Sequence, residues 1–157
     1  SLLNQGMDLA GNPISPPTQL FVAVGANPGN PDLDREIERY EQKIEAGAEF
    51  VMTQPVYDIK TLENFMKRTS HIKIPIMAGI LPLRSFKNAE FLHNEVPGMQ
   101  IPESIRERMR MAGDNGAKEG ILIAQEALKE CKQMAQGAYL MPPFNRADVA
   151  LEVLQAL

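Results

Sequence analysis

Four short apolar runs alternate along this chain with longer segments of helical periodicity. The runs, which we interpret as strands, cover residues 20–24, 50–53, 74–80 and 139–141. The segments after them predict helices over residues 32–46, 59–68, 85–94 and 146–157. Because successive strand and helix units join parallel strands through right-handed crossovers, the pattern predicts an α/β fold with a parallel sheet. The first run, LFVAV, has no polar residue, which predicts a strand buried on both faces.

The regular alternation breaks before the last strand, where two additional helices are expected. One covers residues 102–111 and is entered through a proline, and the other covers about 115–135 and carries Cys131 on an apolar stripe. Asp58 and Ser85 are placed to cap the second and third helices of the regular pattern. No low-complexity linker divides the chain, so we expect a single domain over residues 1–157.

Two architectures accept four strand and helix units in this order. One is an open doubly wound sheet, and the other is part of a (β/α)8 barrel of the TIM type. Gly25 and Gly29 do not complete the G-x-G-x-x-G turn of a dinucleotide-binding fold, and a proline follows each strand within a few residues. Both architectures place their sites at the carboxyl ends of the strands, so the expected site is the same in either case.

Composition and charge exclude several classes of protein. Of the 157 residues, 44% are hydrophobic, and 16 Lys and Arg against 20 Asp and Glu give a formal net charge of −4. The acidic balance argues against nucleic acid as the main partner. No apolar run reaches the roughly 18 residues of a membrane span and no signal peptide is recognisable, so we expect a cytoplasmic protein. The chain begins with Ser1 rather than Met, and we expect it to be a segment of a longer protein.

Polar and aromatic side chains gather near the carboxyl ends of the expected strands. They are Asn27, Thr53, Gln54, Arg84, Phe86, Asn145 and Arg146. The Gln54 amide can donate to and accept from a heterocycle, or it can simply bind loop backbone. Arg146 can form a fork onto a substrate carboxylate, or it can be a solvated residue of the last helix. Phe86 can face a flat ligand, or it can belong to the core.

Metal and thiol chemistry are not expected. His71 and His93 are far apart in the sequence, and neither has a Cys or His at metal-ligand spacing. Cys131 lies on an apolar helix stripe, which predicts a buried and inert thiol. No phosphate-binding loop and no combination of Ser, His and Asp indicates nucleophilic catalysis.

Several long motifs resemble one enzyme family. The segments EAGAEFVMTQPVYD (45–58), IPIMAGILPLRSFKNAEFLHNEVPGMQIPE (74–103) and YLMPPFNRADVALEVL (139–154) resemble the methylenetetrahydrofolate reductase family. The opening LNQGMDLAGNPI and the stretch NPGNPDLDREIERYEQKIEAGA are especially similar to the reductase part of bacterial proteins that also contain a homocysteine methyltransferase domain. The resemblance covers essentially the whole chain.

The resemblance implies a fold, a reaction and roles for five residues. It implies a (β/α)8 barrel in which FAD takes hydride from NADH or NADPH and passes it to 5,10-methylenetetrahydrofolate, giving 5-methyltetrahydrofolate. Gln54 matches the family glutamine that contacts the pterin and the nicotinamide, and Phe86 an aromatic residue that packs on folate or nicotinamide. Arg146 matches a basic residue near the folate tail. Lys43, and with it Arg39, match helix positions that hold the phosphate and ribose of FAD.

The resemblance also implies what this chain lacks. The two acids that the family uses in catalysis follow its first and fourth barrel strands, whereas this chain matches the last four strand and helix units. We therefore expect the C-terminal half of the barrel, with no catalytic residue of its own and no activity by itself. Two alternatives are a non-catalytic half-barrel that binds folate or nucleotide, and a different barrel enzyme formed by two paired copies. Because half a barrel leaves two strand edges without partners, we expect this chain to pair either with the missing half or with a second copy of itself in a dimer.

Overall fold

The structure, a computed structural model, describes residues 1–157 with the exception of the side chain of Asn145, so that candidate lies outside the described side chains. Parallel strands pair in the order β1 (Ala23–Ala26), β2 (Phe50–Pro55), β3 (Ile76–Ile80) and β4 (Gly137–Leu140). The helices are α1 (Leu33–Glu45), α2 (Ile59–Arg68), α3 (Phe86–Glu95), α4 (Glu103–Ala112), α5 (Gly116–Cys131) and α6 (Ala147–Leu154). The predicted alternation is confirmed, including the two helices added before the last strand. The helices predicted over residues 115–135 and 146–157 end earlier than expected, at Cys131 and Leu154.

Side-chain caps fix the starts of three helices. The Asp58 carboxylate accepts from the backbone N–H of Lys60 at 3.0 Å, and the Ser85 hydroxyl oxygen accepts from the N–H of Asn88 at 3.1 Å. Asp32 caps α1 in the same way. Each cap satisfies a backbone donor that the first helical turn leaves without a partner. The helices therefore begin where the local sequence predicts.

The first strand differs from the prediction. It begins at Ala23, and Leu20 and Phe21 are 51% and 77% exposed. The Asn4 side chain accepts from the backbone N–H of Leu20 and donates to its carbonyl oxygen, both at 2.9 Å. Because Asn4 occupies these backbone groups, Leu20 is held by the N-terminal segment instead of entering the sheet, and the first backbone bonds toward β2 are made by Val22, whose carbonyl oxygen accepts from the N–H of Glu49 at 2.8 Å.

The helices that pack on the sheet lie on one face of it. Val51, Ile76 and Ala78 point to this face and are buried against α1, α2, α5 and α6. A doubly wound sheet carries helices on both faces and reverses its strand order, whereas this sheet keeps the sequential order of a barrel. The structure therefore decides for a partial TIM-barrel-like fold.

The opposite, inner face of the sheet carries Gly25, Met52, Gln54, Met77 and Tyr139. None of these five is fully buried, and among the described residues no element packs over them. The expectation that β1 is buried on both faces is therefore wrong, because only its helix-covered face has packing partners. The inner face is free to line a site.

The added helix α4 packs against α3 and α5 in a separate cluster. Met109 of α4 is buried against Leu83 and Ile123. Arg108 donates to Glu126 at 2.6 Å and to Glu119 at 2.7 Å, so it joins α4 to α5 and lowers the pKa of Glu126. These contacts fix α5 beside the loop that follows β3.

The one cysteine of the chain lies at the end of α5. Cys131 is buried as predicted, and its burial raises the thiol pKa to about 11.

Helices that combine the length and the apolar character needed to cross a membrane were not found in the described part of the chain.

Candidate functional site

Gln54 lies at the carboxyl end of β2, where the pairing register with β3 shifts. The hydroxyl of its neighbour Thr53 accepts from the backbone N–H of Gly79 at 3.0 Å and donates to the Gln54 carbonyl oxygen at 2.8 Å. The Tyr139 hydroxyl, from β4, donates to the Thr53 carbonyl oxygen. The carbonyl groups of Thr53 and Gln54 are thus both held by hydrogen bonds, while the Gln54 side chain is exposed on the inner face.

The approach of Tyr139 to β2 depends on a glycine in the strand between them. A Cβ atom at Gly79 would lie 2.8 Å from the Thr53 carbonyl oxygen and 3.0 Å from the Tyr139 hydroxyl. Burial raises the pKa of Tyr139, so its hydroxyl keeps its proton and donates at neutral pH. Gly79 and Tyr139 therefore position Gln54, and the sequence alone gave no signal that links these three residues.

Gln54 shares one cleft with two cations. This central cleft, of about 680 Å³, lies over the inner face beside β1 and is lined by Gln54, Arg39 and Lys43 among others. The Lys43 ammonium donates to the carbonyl oxygen of Gly25 at 2.6 Å, which draws the side chain over the end of β1. The structure therefore brings together three of the five predicted site residues, and it places two positive charges beside an exposed amide.

A buried carboxylate, missed by the sequence reasoning, shapes the same cleft. Glu36 is 6% exposed, and it accepts from the backbone N–H of Asn27 at 2.9 Å and from the Asn30 amide at 3.2 Å. These bonds hold the loop between β1 and α1. Its spacing could have revealed it, because Glu36 lies three residues after Leu33 and four before Tyr40, on the apolar stripe of α1.

Arg146 lines a different cavity, of about 410 Å³, at the carboxyl ends of β3 and β4. We call this the rim cavity; its charged and aromatic lining residues are Arg84, Lys118, Phe144, Arg146, Asp148 and Glu152. The Arg146 Nε donates to Asp148 at 2.8 Å, and this guanidinium lowers the pKa of the Asp148 carboxyl to about 2. At neutral pH Arg146 is therefore held in an ion pair at the start of α6.

Phe86 begins α3 directly after the Ser85 cap. It is 37% exposed, so its ring is not a fully buried core residue. It lines neither the central cleft nor the rim cavity, although α3 starts next to the latter. Among the described residues, no group of three or more His, Cys, Asp or Glu side chains could hold a metal ion.

Comparison with known proteins identifies relatives along nearly the whole chain. A family model described as methylenetetrahydrofolate reductase matches residues 19–157. Methylenetetrahydrofolate reductase 2 of Saccharomyces cerevisiae is 26% identical over 114 residues, which are 71% of this chain and 19% of the yeast protein. Methylenetetrahydrofolate reductase 2 of Schizosaccharomyces pombe is 31% identical over 112 residues, 66% of this chain and 17% of that protein. A probable methylenetetrahydrofolate reductase (NADH) of Oryza sativa subsp. japonica is 31% identical over 84 residues, 52% of this chain and 14% of that protein.

A solved structure has the same fold over most of the chain. It is an uncharacterized protein from Clostridium thermocellum that binds two copies of 5-methyl-5,6,7,8-tetrahydrofolic acid, with a TM-score of 0.62 and 18% sequence identity. The match covers 91% of this chain and 54% of that one, and the chain spans less than a fifth of the curated relatives named above. Since the family model covers residues 19–157, this chain belongs to the methylenetetrahydrofolate reductase family.

Proposed function

We propose that this chain forms the part of an FAD-dependent reductase that contacts folate and nicotinamide. The reaction is the conversion of 5,10-methylenetetrahydrofolate to 5-methyltetrahydrofolate with NADH or NADPH. The observation that carries the proposal is the exposed Gln54 amide, fixed at a strand end beside the cations Arg39 and Lys43. Family membership supports it, as do a relative named as an NADH enzyme and a neighbour that binds a reduced folate.

The central cleft has the donors that a flavin dinucleotide requires. Arg39 and Lys43 line it from α1, and two cations suit the two charges of a diphosphate. Bound FAD would supply the hydride acceptor and donor of the reaction. The chain's own part is to hold the phosphates with these two side chains and to keep the loop at Asn27 in place through Glu36.

Gln54 and Phe86 have complementary roles in this proposal. An amide that both donates and accepts can bind the edge of the pterin or the carboxamide of nicotinamide, so one side chain serves both substrates in turn. Phe86 offers a partly exposed ring at the start of α3, on which a flat ring can pack. Neither residue transfers a proton, since neither side chain titrates.

A second candidate is a non-catalytic half-barrel that binds folate or nucleotide. This candidate is favoured because the cleft offers no available acid for catalysis. Glu36 is the only carboxylate among the described residues that line the cleft, and its oxygens already accept two hydrogen bonds. Flavin absorbance of the purified chain, together with titration by 5-methyltetrahydrofolate, separates the candidates. Bound flavin supports the reductase part, and folate binding without flavin supports the binding module. In both cases we expect the isolated 157-residue chain to show no turnover.

Replacing Gln54 by Glu tests its shared role. In an enzyme that carries this chain, we expect Gln54→Glu to slow both flavin reduction by NAD(P)H and flavin reoxidation by the folate substrate, because a charge replaces an amide that both ligands contact. A carboxylate cannot donate, so each ligand loses one hydrogen bond, which is worth about 1–3 kcal/mol, or roughly 5- to 150-fold in each rate. Stopped-flow absorbance measures the two half-reactions separately.

The matched control for this change is Gln133→Glu, an exposed glutamine in the turn after α5. It adds the same charge away from the cleft and should leave both rates unchanged. If Gln54→Glu also leaves both rates unchanged, Gln54 has a structural role only.

Removing the Arg146 guanidinium tests whether this residue binds a carboxylate of the folate tail. Arg146→Ala should raise the folate KM about 10- to 150-fold through loss of a charge-assisted bond to a tail carboxylate, with little change in the NAD(P)H KM. Steady-state kinetics with each substrate varied in turn measures the difference. Arg68→Ala is the control, because Arg68 is also paired with an exposed aspartate, Asp34. Equal effects of Arg146→Ala on the two KM values would contradict a role at the tail.

A further inference from the structure

The rim cavity contains more positive charge than the proposed function uses. Three cations and two carboxylates, Asp148 and Glu152, line it, a balance of 3 − 2 = +1, and Arg146 is paired with Asp148. Among the described side chains, no carboxylate lies within 4 Å of the charged groups of Arg84 or Lys118. Most arginines of this chain do have such a partner, whereas Arg84 and Lys118 are exposed and open to an anionic ligand.

The backbone holds Arg84 in place. Its N–H donates to the Asn88 side-chain oxygen at 3.1 Å, and the N–H of Asn88 donates back to the Ser85 hydroxyl, also at 3.1 Å. These reciprocal bonds resemble a capping box, which fixes the entry of the chain into a helix. Arg84 is therefore presented by a rigid turn.

Lys118 is brought opposite this turn by the glycines of α5. A Cβ at Gly116 would lie 3.1 Å from the Arg84 carbonyl oxygen, so the first turn of α5 passes directly against the loop after β3. Lys118 lies two residues further along the helix and lines the rim cavity together with Arg84. The close contact of helix and loop therefore sets two cations on the walls of one cavity.

Phe144 completes the cavity with an apolar wall. It is 77% exposed and has a φ of 54°, a conformation that is rare for a bulky residue and that concentrates at ligand sites. The Arg84 guanidinium lies 4.3 Å above the centre of its ring. The cavity thus offers an apolar surface bordered by cations, within a volume of about 410 Å³ that suits part of a small ligand.

We infer that Arg84 and Lys118 form a subsite for the second carboxylate of a glutamyl tail, with the methylene groups of the tail packed on Phe144. The inference rests on the proposed function, in which Arg146 holds the first carboxylate. A tail with two carboxylates linked by a short aliphatic chain matches this lining: one carboxylate binds Arg146 and the other binds Arg84 and Lys118. The Phe144 ring offers the apolar contact for the aliphatic chain, whereas a phosphate would leave the ring unused. The subsite makes the glutamate part of the ligand a determinant of affinity.

The test compares two ligands that differ only in this part. Calorimetric titration gives the Kd of 5-methyltetrahydrofolate and of 5-methyltetrahydropteroate, which lacks the glutamate, for the chain and for Arg84→Met and Lys118→Met. We expect the unsubstituted chain to bind the folate at least tenfold more tightly than the pteroate. Each substitution should weaken folate binding about tenfold and leave pteroate binding unchanged, because only the folate carries the carboxylates. Lys129→Met, an exposed lysine on the same helix, should change neither Kd.

The outcomes separate this inference from the proposed function. If the chain binds both ligands but Arg84→Met and Lys118→Met weaken both or neither, the subsite is wrong and the folate site stands. If the chain binds neither ligand, both proposals are overturned. If inorganic phosphate at low millimolar concentration displaces the folate competitively and also binds the chain alone with comparable affinity, the subsite is a general anion site and the assignment to the glutamyl tail is wrong.

Discussion

Replacing Gly120 by Ala should destabilise this protein by about 3 kcal/mol, although alanine is the better helix former by about 1 kcal/mol. A Cβ at Gly120 would lie 1.8 Å from the Leu83 carbonyl oxygen and 2.6 Å from its carbonyl carbon. Both obstacles are backbone atoms, so no side-chain rotation relieves the clash. The middle of α5 would have to move away from the loop after β3, which would separate the buried contacts of Leu83 with Met109 and Ile123.

Thermal and denaturant unfolding of three glycine variants test this argument. For a chain of this size, 3 kcal/mol corresponds to a decrease in Tm of about 6–12 °C. Gly116→Ala, whose Cβ would lie 3.1 Å from backbone atoms, should have a smaller effect. Gly29→Ala, with its nearest neighbour at 3.6 Å, should stay within about 0.5 kcal/mol of the unsubstituted chain. A Tm of Gly120→Ala at or above that of the unsubstituted chain would contradict the close packing of α5.

The isolated 157-residue chain should associate into a dimer, with twice the mass of the 17.4 kDa chain. The strands β1 and β4 each pair on one side only, so both present free backbone donors and acceptors. The inner face is uncovered, and three leucines in and just after α6 are exposed: Leu151, Leu154 and Leu157. Two copies that pair β4 with β1 in both directions would close eight strands around a shared interior, a symmetric arrangement that buries well over 1,000 Å².

Light scattering after size exclusion measures the mass of the chain and of two matched variants. Leu151 of α6 is 64% exposed and Met111 of α4 is 76% exposed. Leu151→Glu should weaken the dimer at least tenfold, because α6 flanks the free edge of the sheet and a charge would be buried there. Met111→Glu should not, because α4 packs beside α3 and α5. A monomer at all concentrations would contradict pairing between copies.

The helices and the identity of the family were determined by the sequence itself. Periodicity and caps at Asp58 and Ser85 act within one or two turns, so their signals are complete in the local sequence. The parallel alternation and the family were predicted in the same way, from runs and motifs that each lie in one continuous segment, and both are confirmed. The roles assigned to the individual site residues stay predictions.

Contacts between distant segments determined where β1 starts and on which face of the sheet the helices pack. The start of β1 depends on Asn4, because its side chain takes the backbone groups of Leu20 that a sheet would otherwise use. The placement of helices on one face of the sheet depends on which strands become neighbours, and no single run of residues encodes that choice.

The site depends on tertiary structure for the same reason. Gln54 was found from its position after a strand, but its orientation depends on Tyr139, which lies 85 residues later and passes over Gly79. Arg84 and Lys118 line one cavity only because α5 packs on the loop after β3. Local sequence sets which residues follow each strand, whereas the distances between them follow from strand pairing and helix packing across the whole chain.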